Sequence, residues 1–239
     1  MPRTYALLQA NVASHQAWCA ARGQQACLPV LLNCGAGPEG KDCAVFTTYS
    51  DSASGWSTMC PDDVEVTANM ELYIQKLLES GGTERGGDAR SMQASARSPQ
   101  EAADVPEPAL ARAGRALWRV AALRPLLRAA TTAYVARMMS GQQQSTCQLV
   151  PLSQLIRELR LERIDLLKID VERAELDVLS GLAPGQWQLV RQVVLEVHNL
   201  DGRLEAVRAL LEGHGFSRVI AEQESGLQGS TIHNVYAMR

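Results

Sequence analysis

One stretch in the second half of the chain constrains the fold most. Residues 164–181 read Ile-Asp-Leu-Leu-Lys-Ile-Asp-Val-Glu-Arg-Ala-Glu-Leu-Asp-Val-Leu-Ser-Gly. Residues 164–169 form a short apolar run that only Asp165 and Lys168 interrupt, which is typical of a strand buried on both faces. Leucines at 176, 179 and 182 then recur at helical spacing. The stretch therefore predicts a strand that turns directly into a helix, with acidic residues at the turn.

Two acidic residues, Asp170 and Glu172, fall at this predicted turn. In parallel α/β sheets, ligands bind outside the carboxyl ends of the strands, so both carboxylates are candidates for chemistry. The alternative is that they only cap the helix and interact with its positive N-terminal end. The local pattern leaves both interpretations open.

Composition and charge indicate a globular chain with one sizeable core. The chain has 239 residues, 46% of them hydrophobic, and a net charge of −3. It contains no run of 18 apolar residues and no basic segment followed by an apolar one at the N-terminus, so we expect neither a membrane span nor a secretory signal, and a cytoplasmic location. We expect no nucleic-acid partner. The six cysteines show no C-x-x-C spacing, which favours reduced thiols over a zinc site.

The N-terminal part predicts a helix over residues 3–21, a buried strand over residues 27–33 and then a glycine-rich stretch, residues 33–40. Glycines after a strand allow a nucleotide to approach the backbone closely, which makes Asn33, Cys34 and Gly35 candidates for cofactor binding. A strand-like stretch follows instead of a helix, at residues 43–49, and this favours a hairpin turn over a nucleotide loop.

The middle of the chain divides into two segments. Residues 80–108 carry glycines, prolines and scattered charges with few large apolar residues, and we expect a disordered insertion. Residues 109–140 contain many alanines, leucines and arginines and predict a helical segment that Pro125 kinks or divides. Its basic face fits either contact with an anionic surface or a solvated arginine face on a helical cap.

The C-terminal part alternates strands and helices. A helix opening at Pro151 leads into the central strand, residues 192–198 predict the next strand, and a helix follows with leucines and valine at 204, 207 and 211. Residues 216–222 and 233–238 predict a terminal strand pair. The order predicts a doubly wound α/β domain.

The sequence of residues 166–181 resembles the signature of the FkbM family of S-adenosylmethionine-dependent methyltransferases. That signature usually reads Lys-Ile-Asp-Val-Glu-Gly-Ala-Glu followed by Leu and Gly, and Arg173 stands here where the family normally has glycine. Residues 4–12, the Asn33-Cys34-Gly35 stretch and residues 46–49 also resemble family members. The resemblance implies a Rossmann-like class I methyltransferase sheet with a helical or disordered insertion.

Family members carry, before the helix that residues 4–12 resemble, a glycine-rich turn and an acid that binds the cofactor ribose. This chain begins after both, so we expect an N-terminally incomplete sheet that binds S-adenosylmethionine weakly or not at all by itself. The expected divisions are residues 1–79 and 147–239 as the two parts of the methyltransferase-like domain. Residues 80–108 are the insertion between them, and residues 109–146 are a basic helical cap.

The expected site lies where two neighbouring strands end. If the sheet is parallel here, Asp170 and Glu172 meet Glu196 and His198 at one edge. Methyl transfer to oxygen needs a deprotonated or polarised hydroxyl, so a carboxylate or His198 is a candidate general base. The same groups fit a divalent cation, although the sequence favours acid–base groups over a metal. For His198, the alternative is a histidine hydrogen-bonded to the backbone.

Two classes of function follow from the sequence. The first is an FkbM-type methyltransferase, or its C-terminal portion, that transfers a methyl group from S-adenosylmethionine to a hydroxyl of a small molecule, sugar or polyketide-like product. The second is an inactive, methyltransferase-like binding module. A third interpretation is an intact enzyme that uses residues 34–37 as its own glycine loop.

Overall fold

The computed structural model describes residues 2–26, 28–49, 57–79 and 109–239, which form helices around two mixed β-sheets. The smaller sheet contains β1 (Gly35–Ala36), β2 (Cys43–Thr48) and β3 (Gln143–Val150) in the order β1-β3-β2. β1 is parallel to β3, whereas β2 is antiparallel to it.

The larger sheet positions the candidate site. It contains β4 (Leu167–Ile169), β5 (Gln192–His198), β6 (Arg218–Glu222) and β7 (Ile232–Met238) in the order β4-β5-β7-β6. β4 and β5 are parallel, and β7 is antiparallel to both of its neighbours. The carboxyl ends of β4 and β5 therefore lie at the same edge of the sheet.

Seven α-helices surround the sheets in the described part of the chain. They are α1 (Pro2–Ala20), α2 (Asp63–Glu79), α3 (Ala109–Trp118), α4 (Arg124–Met139), α5 (Leu152–Glu158), α6 (Glu175–Ser180) and α7 (Arg203–Gly213). Short 3₁₀ helices cover residues 121–123, 184–189 and 225–227.

The main core lies on the larger sheet. Val193, Leu195 and Val197 alternate along β5 and are fully buried, as the two-residue period of a strand requires. Leu179 of α6 and Leu211 of α7 pack in the same cluster and are also fully buried. A second, smaller cluster joins residues of α2 and α4, with Val66, Met70, Val135 and Met139 at its centre.

Most predicted elements of the C-terminal part are confirmed. The strand–turn–helix of residues 164–181 is present, although its strand covers only β4, and β5, α7, β6 and β7 lie where the pattern placed them. Pro125 lies in the first turn of α4, so it divides the predicted helical segment, as proline does when it sits at a helix start. The structure is a mixed α/β fold with two mixed sheets, which agrees with the α/β class that the sequence predicted.

Two predictions for the N-terminal part are wrong. Residues 28–33, all described, form no strand, and Leu28 and Val30 are 81% and 67% exposed. Pro29 between them lacks the N–H group that a sheet ladder needs. The turn at Pro38-Glu39-Gly40 does not join paired strands, because β3 lies between β1 and β2.

The predicted disordered insertion, residues 80–108, lies outside the described residues. The basic segment forms α3 and α4, and β3 begins at Gln143, inside the predicted cap of residues 109–146. Among the described helices, none combines the length and apolar character that crossing a membrane requires.

Gly181, which follows α6, fixes how closely the turn after β1 approaches this helix. A Cβ atom there would lie 2.4 Å from the carbonyl oxygen of Gly37. The Gly181 carbonyl also accepts a hydrogen bond from the Ser153 N–H at 2.8 Å. Only a residue without a side chain fits between these two backbone segments.

We therefore expect Gly181→Ala to lower the free energy of unfolding by about 1–3 kcal/mol, because the backbone must shift to relieve the clash. Gly185→Ala is the matched control, since a Cβ atom there meets no atom within 4 Å. Urea denaturation of both variants measures the difference. Equal stability of the two variants would show that the contact at Gly181 does not constrain the fold.

Candidate functional site

The turn after β4 brings two consecutive residues into a left-handed backbone conformation. Glu172 has φ 49° and Arg173 has φ 75°, values that non-glycine residues adopt rarely. The Arg173 side chain stabilises the turn, because its Nε donates to the Cys60 carbonyl at 2.6 Å. The Thr58 hydroxyl donates to the Glu172 carbonyl. Arginine thus keeps the positive φ at the position where the FkbM signature has glycine.

His198 ends β5 and lies among three carboxylates. It is 2% exposed. Its Nδ1 is 2.9 Å from Glu65 Oε1, and its Nε2 is 3.2 Å from Glu172 Oε2 and 3.6 Å from Glu196 Oε1. The parallel pairing of β4 and β5 therefore brings Glu172, Glu196 and His198 together, as the sequence predicted.

Glu65 joins helix α2 to this site. Its Oε2 accepts a hydrogen bond from Arg173 NH1 at 2.9 Å, and its Oε1 accepts from Asn69 and from the Thr231 hydroxyl. Although burial alone raises the pKa of Glu65, its hydrogen bonds to His198, Thr231 and Arg173 lower that pKa to about 2. Glu65 is therefore a fixed negative charge.

The carboxylates hold a proton on His198. Burial alone lowers the pKa of an imidazole, but the contacts with Glu172, Glu196 and Glu65 outweigh it and raise the pKa of His198 to about 11. In the absence of another ligand, His198 is an imidazolium at neutral pH. It therefore acts as an acid or an orienting group and not as the general base.

Glu172 is the buried carboxylate whose pKa is raised, and it faces the His198 ring at 3.2 Å. Burial raises its pKa, and the neighbouring carboxylates of Glu196 and Asp170 raise it further, against the lowering effect of His198. Glu172 Oε2 and His198 Nε2 are close, but neither has a hydrogen-bond partner among the residues that the structure describes. The Glu196 side chain is 29% exposed and connects the site with solvent.

Asp170, the fourth predicted catalytic residue, lies beside this cluster and not within it. Its carboxylate accepts a hydrogen bond from Lys168 Nζ at 2.8 Å, and both side chains are about half exposed. Asp170 therefore influences the site through its charge near Glu172.

Glu65 and Glu175 are site residues that the sequence analysis missed. Glu175 is fully buried, and its Oε1 accepts from the backbone N–H groups of Arg173 and His198. Arg203 NH1 neutralises it at 3.3 Å. One feature marks Glu65 as a buried residue, because it lies on the face of α2 that buries Val66, Asn69 and Met70.

The predicted cofactor residues Asn33, Cys34 and Gly35 lie apart, at the edge of the smaller sheet. They line a cavity of about 170 Å³ together with residues of α1 and β2. Ligand pockets usually have volumes of roughly 300–1,000 Å³. A Cβ atom at Gly35 or Gly37 would lie within 3 Å of the Leu149 side chain, so these glycines accommodate packing. This cavity by itself is smaller than the usual ligand pocket.

Comparisons with known proteins agree with the family that residues 166–181 resemble. Residues 128–218 match the family model of the methyltransferase FkbM domain, which confirms the resemblance. The chain is 51% identical over 90 residues to the 31-O-demethyl-FK506 methyltransferase FkbM of Streptomyces tacrolimicus. It is 51% identical over 98 residues to the AMB antimetabolite synthetase AmbE of Pseudomonas aeruginosa, and 55% identical over 56 residues to methyltransferase sdnD of Sordaria araneosa.

These alignments cover 38%, 39% and 23% of the chain. They cover 34%, 5% and 22% of the respective relatives, so the chain spans about a third or less of the length of each. No solved structure matches the chain.

The protonation of His198 is directly measurable. Its ordinary pKa is about 6.5, and three carboxylates raise that pKa in the folded protein. We expect the ¹⁵N shifts of its ring, recorded with a chelator present, to remain those of an imidazolium from about pH 6 to about pH 9. The stabilisation of the folded state by the His198 proton is complete below pH ~6.5. It is lost as the pH rises towards the pKa of His198 in the folded protein.

Glu65→Gln is the control for this titration, because it removes one of the three carboxylates and should lower the pKa of His198. A wild-type titration midpoint near pH 6.5 would show that the three carboxylates do not raise the pKa of His198.

Proposed function

We propose that the protein is an S-adenosylmethionine-dependent methyltransferase of the FkbM type that methylates a hydroxyl oxygen of a small molecule, a sugar or a polyketide-like product. One observation carries the proposal: Glu172, Glu196 and His198 meet at the carboxyl ends of two parallel strands. All three residues lie within residues 128–218, which match the methyltransferase family. The name of the Streptomyces relative, a 31-O-demethyl-FK506 methyltransferase, supports oxygen as the atom that is methylated.

The chemistry of the site follows from its protonation states. A hydroxyl must lose its proton as its oxygen accepts the methyl group, and a carboxylate with a raised pKa is a better proton acceptor than an ordinary one. Burial raises the pKa of Glu172, and its Oε2 has no other partner among the described residues. The acceptor hydroxyl therefore donates to Glu172, and His198 holds the Glu172 carboxylate in place.

S-adenosylmethionine, when bound, supplies the electrophilic methyl group. The proposal assigns Asn33, Cys34 and Gly35 to one edge of its site within a class I methyltransferase arrangement, and it places the protein in the cytoplasm. Since the cavity beside these residues is small, they supply only part of the cofactor contacts. The same small cavity favours the second candidate function, a methyltransferase-like module that binds a small molecule without turnover.

Glu172→Gln tests the proposal. The amide keeps the size of the side chain but accepts no proton, so we expect methyl transfer to fall about 10²-fold to 10⁴-fold. The assay measures radioactivity transferred from methyl-labelled S-adenosylmethionine, at saturating concentration, to a panel of sugars and macrocyclic alcohols. Asp177→Asn is the matched control, because Asp177 lies on α6 and is not part of the cluster.

Equal losses in the two variants would remove Glu172 from the chemistry. A wild-type protein that binds an acceptor but labels none would contradict the methyltransferase proposal and support the binding module.

A further inference from the structure

We propose that the Glu172–Glu196–His198 cluster is a binding site for a divalent transition-metal cation, with Mn²⁺ or Zn²⁺ as the fitting ions. The ligand atoms are Glu172 Oε2, Glu196 Oε1 and His198 Nε2, which all lie within 4.8 Å of one another. The catalytic role of such a cation rests on the proposed function, whereas its binding does not.

The distances from His198 to the two glutamates fit a single cation. Two ligands that each lie about 2.0–2.2 Å from one cation stand about 2.8–3.6 Å apart at octahedral or tetrahedral angles. His198 Nε2 is 3.2 Å from Glu172 Oε2 and 3.6 Å from Glu196 Oε1. The histidine therefore needs no movement to share a cation with either carboxylate.

Two buried atoms at the centre of the cluster point independently to a ligand. His198 Nε2 and Glu172 Oε2 belong to side chains that are more than nine-tenths buried and face each other at 3.2 Å. When Nε2 carries no proton, neither atom has a hydrogen-bond partner among the described residues. A buried polar atom without a hydrogen-bond partner is destabilising, and groups of this kind call for an ion or a water. A cation between the two atoms satisfies both.

The other ring nitrogen of His198 is arranged as in a metal ligand. Nδ1 lies 2.9 Å from Glu65 Oε1, and this carboxylate is held by Arg173 and Asn69. Metal-binding histidines almost always donate their second ring N–H to a carboxylate or carbonyl, which directs the free lone pair to the metal. With Nδ1–H donated to Glu65, the lone pair of Nε2 points to the two remaining glutamates.

The net charge of the cluster also fits a divalent cation. Three carboxylates, those of Glu65, Glu172 and Glu196, face one guanidinium, that of Arg173, when the imidazole is neutral. The two excess negative charges match one divalent cation. An imidazole ligand favours first-row transition metals over Mg²⁺, which prefers oxygen ligands and water.

A cation at this position acts on the same hydroxyl that the proposed function assigns to the site. It lowers the pKa of a coordinated hydroxyl as a Lewis acid, and Glu172 then serves as a ligand. Glu196, whose side chain is 29% exposed, leaves a path from solvent to the open coordination positions.

The test is a titration of the purified full chain with Mn²⁺, in which electron paramagnetic resonance measures the free ion. Mn²⁺ avoids the cysteine thiols that would capture Zn²⁺. We expect one tight Mn²⁺ per chain, binding at least about ten-fold weaker in Glu196→Gln and in His198→Gln, and a rise in the melting temperature of the wild type with Mn²⁺. Mg²⁺ should compete poorly.

His233→Gln is the control, because His233 binds the Thr231 carbonyl through Nδ1 and lies outside the cluster. Glu196→Gln alters the most exposed of the three ligands, and circular dichroism verifies that the variant is folded. Equal Mn²⁺ affinity of wild type and Glu196→Gln would overturn the site, as would equal losses in Glu196→Gln and His233→Gln. Neither measurement requires methyl transfer, so a failure of the cation site is distinguishable from a failure of the proposed function.

Discussion

The buried contact between Glu65 and His198 is the interaction on which the candidate site depends. It joins two elements that are 133 residues apart in the sequence, helix α2 and the end of β5. Glu65 also binds Arg173, which follows Glu172 in the turn after β4. A charge buried this deeply is tolerable only when it is paired and hydrogen-bonded. One carboxylate therefore fixes both the histidine and the turn that carries the second glutamate.

The backbone supplies the remaining constraints. Parallel pairing of β4 and β5 ends both strands at one edge, and Glu175 binds the N–H groups of Arg173 and His198, one from each strand end. Arg203 neutralises Glu175, so this carboxylate serves structure and stays outside the reactive cluster. The distances within the Glu172–Glu196–His198 cluster are thus set by backbone hydrogen bonds as well as by its own charges. Such support is what a preorganised site requires.

The sequence predicted those parts of the site that depend on local pattern. The apolar run before Asp170 and the leucines after it place a strand–turn–helix, and a neighbouring strand ending at His198 then brings the two strand ends together. Glu65 could not be placed in this way, because its role depends on how α2 packs against a distant strand. Asp170 and Glu172 are two residues apart and indistinguishable by pattern, but the left-handed turn directs Glu172 inwards and leaves Asp170 with Lys168.

The glycine-rich stretch shows why a motif needs its context. Gly35 and Gly37 have the spacing of a nucleotide loop, but the space beside each is occupied by Leu149 of β3, a residue more than a hundred positions away. The strand predicted from the apolar residues at 28–33 is absent for a related reason. No described strand pairs with them, and Pro29 interrupts their hydrogen-bonding groups. Local composition indicates what a segment can form, and its tertiary partners decide the outcome.

A double-mutant cycle between Glu65 and His198 measures directly whether the candidate site depends on the contact between these two side chains. The free energies of unfolding of wild type, Glu65→Gln, His198→Gln and the double variant are measured by urea denaturation at neutral pH. Because removing either partner leaves the other buried and unpaired, we predict a coupling energy of about 1–3 kcal/mol. Additive effects, within about 0.5 kcal/mol, would show that the two side chains do not interact and would contradict the account.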